Sequence, residues 1–198
     1  SGGKARREND PEVRRRSEHV ASSPVWERAP TRQRFQLAAS GHPVQSFGGR
    51  MHLQCLSISF HSAPLDVRER LSLARHDLSS VLESMLDVDG VEEAFALSTC
   101  NRTELYAVVT AGAKPDLAAV LAEQCGVMVG QVHRHERIKW DEDAVRHVFS
   151  MVCGMESLAL GETEILGQVK QAYTEAVAND STGKVMNGLF QRAFAVAK

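Results

Sequence analysis

An α+β fold is predicted for this chain, and three observations predict it. Between residues 51 and 140 the apolar pattern runs strand, helix, strand, strand, helix, strand. The two middle strands flank a short polar loop around Cys100. Beyond residue 141 the pattern is helical throughout. That order predicts a ferredoxin-like βαββαβ unit, a sheet with one face covered by helices, followed by further helices.

Each element has its own warrant. HLQCLSISF (His52–Phe60) places Leu53, Cys55 and the β-branched Ile58 in a strand-like run. Pro64 breaks it, and Asp66 with Glu69 fits a capping box that opens a short helix. A second helix covers Leu78–Leu86 and stops at Asp89-Gly90. EEAFALST and ELYAVVT supply the middle strands. Lys114-Pro115-Asp116 starts a helix that ends near Gly126, and a weak strand is expected at His135–Trp140. Helical stripes follow at Val145, Val148, Phe149 and Val152, and at Ile165, Val169, Ala172, Tyr173 and Ala176. A last stripe, Val185, Leu189, Ala193 and Val196, runs into Lys198 without a cap or breaker. The expected organisation is therefore a disordered extension over 1–50, a domain over 51–180, and the start of a long connecting helix over 181–198.

Composition narrows the function classes. Apolar residues make up 43% of the 198 and charged residues 24%, the usual balance of a globular domain. No apolar run reaches the roughly 18 residues of a membrane span, and no secretory leader pattern stands near the start, so a cytoplasmic setting is expected. The four cysteines are 45, 25 and 28 residues apart, with no CxxC pair, which argues against a zinc ribbon or a dithiol redox motif. Charge is unevenly shared. Residues 1–50 hold 10 Lys/Arg against 5 Asp/Glu, a surplus of +5; residues 51–198 hold 13 against 20, a deficit of −7. A nucleic-acid partner would have to meet a local basic patch.

The chemistry concentrates in LSTCNRTEL, Leu97–Leu105. A buried structural cysteine needs no Asn, Arg and Glu around it, whereas a nucleophile gains from a nearby cation such as Arg102 and from a turn that exposes its sulfur. A second polar cluster lies in AVRHVFSMVCGMESLALGETEILGQ (Ala144–Gln168). His147, Met151 and Gly154 are spaced to share a helical face, with Gly154 leaving room beside the imidazole. A lone helix histidine is commonly structural, and Glu164 with Gln168 could equally be a solvated i, i+4 pair.

LSTCNRTELYAVV and AVRHVFSMVCGMESLALGETEILGQVKQAY together closely resemble two signature blocks of the glutamyl-tRNA reductases, and SFHSAPLDVRERL resembles a third. The resemblance covers residues 53–198. It implies an NADPH-dependent enzyme of tetrapyrrole biosynthesis. Cys100 would attack the ester of glutamyl-tRNA(Glu) to form a thioester, which hydride reduces to glutamate-1-semialdehyde. It places substrate contacts at Thr99, Asn101, Arg102, Ser157, Glu162, Thr163, Glu164 and Gln168, and makes His147 the activity-critical histidine. Arg102 suits a substrate carboxylate because its planar fork binds one bidentately. His147 could polarise the carbonyl or move a proton. The resemblance further implies a homodimer in the full-length protein, a hand-over partner in glutamate-1-semialdehyde aminomutase, and a plastid stroma setting if the source is a photosynthetic eukaryote. It assigns no metal. No G-x-G-x-x-G follows a strand here, so NADPH binding and dimerisation are expected outside these 198 residues. Two other readings compete: a tRNA- or regulator-binding module that does not reduce, and a thiol hydrolase of aminoacyl esters.

Overall fold

The computed structural model describes residues 51–73, 78–156 and 164–197. The extension over 1–50 lies outside them. Strand β1 (Met51–Ser59) leads through helices α1 (Leu65–Arg70) and α2 (Leu78–Leu86) to β2 (Val91–Ser98) and β3 (Arg102–Thr110). Helices α3 (Leu117–Cys125) and α4 (Val129–His133) lead on to β4 (Arg137–Trp140). Three more helices follow: α5 (Asp141–Val152), α6 (Glu164–Ala178) and α7 (Lys184–Val196). The strands form one antiparallel sheet in the order β2-β3-β1-β4, the ferredoxin-like arrangement the element order predicts.

The sheet departs from expectation in being covered on both faces. On one face, Ser98 Oγ accepts from the Leu73 backbone and Gln54 donates to the Pro115 carbonyl, so the crossover segments lie there. The other face carries Cys55, Ser57, Phe95, Glu104 and Tyr106, and meets His147 of α5 and Phe190 of α7. The central strands β1 and β3 are accordingly buried at almost every position. A sheet covered twice loses the in–out alternation that would mark one wet face. Helix α6 packs on β2, α2 and α5, burying Ile165, Val169, Ala172, Tyr173 and Ala176, the stripe that its sequence spells out.

Two local expectations fail for identifiable reasons. The capping box at Asp66 and Glu69 does not form. Helix α1 begins at Leu65 behind Pro64 with no side-chain cap, so Asp66 sits inside the first turn. There its charge complements the helix dipole. In α7 the buried residues are Met186, Leu189, Phe190, Ala193 and Phe194, while Val196 is exposed. Two phenylalanines and a methionine outcompete the smaller valines for the core. Asp116, in contrast, does start α3: its carboxylate accepts from Ala118 N and Ala119 N.

Helix α7 takes its cap from the sheet. A bulge between Val91 and Glu93 turns Glu93 to the α7 side. Its carboxylate accepts from Val185 N at 2.9 Å and Met186 N at 2.7 Å, satisfying two of the orphan donors at the helix start. Gly183 makes this approach possible, since a Cβ there would stand 2.6 Å from the Glu93 carboxylate oxygen. Gly183→Ala should therefore cost about 1–2 kcal/mol, the worth of a lost cap. Thermal unfolding checks it; a melting temperature equal to wild type would mean that Glu93 yields without losing its bonds.

Candidate active site

Cys100 and Asn101 form the tip of the β2–β3 hairpin. Ser98 pairs with Thr103, and the Thr99 backbone N–H donates to the Arg102 carbonyl at 2.8 Å. Thr99 Oγ1 accepts from the N–H groups of Asn101 and Arg102, both at 3.2 Å. This short hydroxyl bond is why threonine serves ahead of the turn. From outside, Phe60 N–H donates to the Asn101 carbonyl at 3.1 Å. Arg68 of α1 reaches the Cys100 carbonyl at 2.8 Å and the Asn101 side chain at 3.2 Å. The tip is thus fastened through its backbone while the Cys100 residue stays exposed.

A cleft of about 330 Å³ opens beside it, lined by Thr99, Cys100, Asn101, Arg102, Glu164, Ile165 and Gln168. Six of the ten residues expected at the site meet there. Ser157, Glu162 and Thr163 lie outside the described residues. His147 does not line the cleft; it is buried beneath it.

Below the thiol lies a closed quartet of charges. Glu104 is fully buried, and its Oε1 accepts from Arg102 Nη1 at 3.1 Å, His147 Nε2 at 2.9 Å and Ser57 Oγ at 3.1 Å. Its Oε2 accepts from the Tyr106 hydroxyl at 2.5 Å. On its other side His147 Nδ1 lies 3.0 Å from Glu156, and Arg102 Nη2 donates to the Glu156 carbonyl. Arg102 Nη1 stands 3.7 Å from the Glu156 carboxylate. Burial pushes the Glu104 carboxyl up, but His147, Arg102 and Tyr106 outweigh it and hold the group at about 2. Burial works against the His147 cation, yet its bonds to Glu104 and Glu156 prevail and raise it to about 9. Two cations and two carboxylates therefore balance at neutral pH, with both imidazole nitrogens donating.

This geometry revises the sequence picture of Arg102. It is not a loop cation beside the thiol. It opens β3, is only 2% exposed, and shares one strand face with Glu104 and Tyr106. Gly154 is revised too. Helix α5 ends at Val152, and Gly154, at φ 72°, lies beyond it rather than on the His147 face. Its N–H donates to the Met151 carbonyl and that of Met155 to Ser150, the paired bonds of a glycine-closed helix end. The turn sends the chain back so that Glu156 meets His147.

Glu104, Glu156, Tyr106 and Arg68 went unnoticed as site residues in the sequence. Arg102, Glu104 and Tyr106 at i, i+2 and i+4 were the available signal, since a strand puts all three on one face.

The network makes stability depend on pH. A histidine raised from 6.5 to about 9 adds stability that is complete below 6.5 and disappears as pH rises through 9. A carboxyl lowered from 4.5 to about 2 adds stability that is present above 4.5 and is lost as pH falls towards 2. The two shifts describe one shared interaction, on the order of 3 kcal/mol counted once. Denaturation midpoints measured from about pH 5 to about pH 9 should fall on the alkaline side. A flat profile would show that His147 is not held as a cation.

Cys55 Sγ, a Glu104 oxygen and a His147 nitrogen also lie within 4.8 Å of one another. Their atoms are already engaged, Arg102 presses its own charge on Glu104, and burial pushes the Cys55 thiol well up. Cys55 and His147 keep their protons and Glu104 already serves two cationic partners, so the trio does not suit a metal ion.

Comparison with known proteins agrees with the resemblance of the motifs and with the fold. Residues 56–198 match the family model for the glutamyl-tRNA(Glu) reductase N-terminal domain. The chain belongs to this family. It is 41% identical over 149 residues to the glutamyl-tRNA reductase of Desulforudis audaxviator (strain MP104C), covering 75% of this chain and 33% of that protein. The glutamyl-tRNA reductase structure from Methanopyrus kandleri matches with a TM-score of 0.59 at 28% identity, over 73% of this chain and 33% of that one. The chain thus spans about a third of the length of these glutamyl-tRNA reductases. Among the described residues no helix is long and apolar enough to cross a membrane.

Proposed function

We propose that this glutamyl-tRNA reductase domain performs the acyl-transfer half of that reaction, with Cys100 as nucleophile. The observation that carries the reading is the cleft itself: an exposed cysteine on a backbone-fastened hairpin tip, facing Glu164 and Gln168, with a buried charge quartet below. The sulfur attacks the ester carbonyl carbon of glutamyl-tRNA(Glu). The tetrahedral intermediate then collapses, the bond to the terminal ribose oxygen breaks, and that oxygen takes up a proton, leaving a glutamyl thioester.

Arg102 binds the substrate's carboxylate in this reading. The residue borders the cleft although it is only 2% exposed, Glu104 and Glu156 fix its guanidinium from below, and the N–H donors they leave unused are the ones a ligand carboxylate would take. His147, with both nitrogens donating to carboxylates, acts as a positioning residue that orders Glu104 and Glu156. It has no lone pair free to take a proton from the thiol. Thr99 holds the turn and presents its neighbour.

NADPH, when bound, supplies the hydride that would convert the thioester to glutamate-1-semialdehyde. The described residues do not fit that cofactor: the sheet is wholly antiparallel and offers no glycine-rich βαβ turn. The reductive step therefore has no seat among the described residues. Mixing the chain with glutamyl-tRNA(Glu), with and without NADPH, tests the division of labour. Slow thiol-dependent release of glutamate and no aldehyde is expected, because water reaches an open thioester. Ester cleavage that survives alkylation of Cys100 would overturn the proposal.

A further inference from the structure

We propose that a groove between α1 and α4 binds backbone phosphates in the acceptor strand of the RNA substrate; the choice of RNA rests on the function proposed above. The groove is open to solvent on a floor that includes Val67 and Leu71, and its polar lining is Arg70, Gln131, Arg134 and His135. Among the described residues no carboxylate lines it. That is unusual in a region where 20 acidic residues outnumber 13 Lys/Arg. Among the described residues neither Arg70 nor Arg134 forms an ion pair, whereas Arg102 and Arg146 do. His135 is fixed by donating Nδ1–H to the Ser62 carbonyl at 3.0 Å, which leaves the Nε2 lone pair to accept from a ribose hydroxyl beside the phosphates. Two such guanidinium forks over an apolar floor suit a phosphodiester, whose oxygens they can bind bidentately.

Helix α1 also ties the groove to the thiol-bearing hairpin tip. Arg68, two residues before Arg70 on the same short helix, bonds the carbonyl of Cys100 at 2.8 Å. In this proposal an RNA whose 3′ ester reaches Cys100 passes α1, where Arg70, on a different face of the helix from Arg68, meets the neighbouring phosphates. The arginines set affinity and register for the RNA and take no part in breaking the ester.

The test compares the wild-type chain with Arg70→Ala/Arg134→Ala and with Arg70→Glu/Arg134→Glu, after thermal melting has shown that each is folded. The probe is an uncharged acceptor-stem hairpin ending in single-stranded CCA, titrated at several salt concentrations. The alanine pair should bind about 10-fold more weakly at low salt, and the salt slope should shrink by about 1.4, roughly 0.7 for each single-strand phosphate deprived of its arginine. The glutamate pair should bind more weakly still. Acylation of Cys100 by a small glutamyl ester without RNA should be equal in all three. Equal RNA affinity and slope in all three would overturn the proposal, as would inorganic phosphate competing for the groove while hairpin binding ignores the substitutions. If the small ester fails to acylate even the wild type but the hairpin still depends on the arginines, the groove stands and the acyl-transfer reading falls.

Discussion

Glu104→Gln should destabilise the domain by about 3 kcal/mol or more, the cost of breaking a buried ion pair by removing one partner. The glutamine has nearly the same shape, so the loss is not one of packing. It is electrostatic: Arg102 and His147 stay buried, with Glu156, itself 31% exposed, as their remaining carboxylate. The amide nitrogen also brings donors into a pocket where Ser57, Tyr106, Arg102 and His147 all offer donors. His147 can relieve part of the penalty by releasing its proton, so the alkaline fall in stability should flatten in the variant. In a domain of this size the melting temperature should drop by roughly 10 °C. A variant that melts within a degree or two of wild type, with the same pH profile, would show that the quartet does not organise the site.

The second large effect concerns the thiol. Cys100→Ser should abolish acyl transfer while leaving the melting temperature within about 1 °C of wild type. The residue is exposed at a turn whose bonds come from Thr99, Phe60 and Arg68 through backbone atoms and the Asn101 side chain, so replacing sulfur with oxygen opens no cavity. Serine's hydroxyl stays protonated at neutral pH, and His147 cannot act as its base, being held between two carboxylates. Loss of folding would make Cys100 a structural residue. Retained acyl transfer would move the nucleophile elsewhere.

Much of this fold is written locally. The stripe in α6 and the Asp116 and Gly126 ends of α3 need only neighbours in sequence, and the structure has them where the sequence puts them. The cysteine loop was legible for the same reason, since a polar run between two apolar strands has few other uses. What escaped depended on partners far along the chain. Glu104 is an unremarkable charge until His147, 43 residues later, arrives beside it. Starting β3 at Glu104 instead of Arg102 hid the alternation that turns Arg102 inward. The second helical layer was missed because a doubly covered sheet and a buried helix give the same unbroken apolar runs. Glu93 capping α7 from 92 residues away leaves no local trace at all.

Everything proposed about chemistry rests on one covalent bond. The direct measurement is the intact mass of the wild-type chain, quenched in acid after mixing with glutamyl-tRNA(Glu), followed by proteolytic mapping of the modified peptide. The expected result is a chain heavier by one glutamyl group, with the label on Cys100 and sensitive to hydroxylamine as a thioester is. A chain that never gains mass while the ester is cleaved, or a label on Cys55, Cys125 or Cys153, would contradict it.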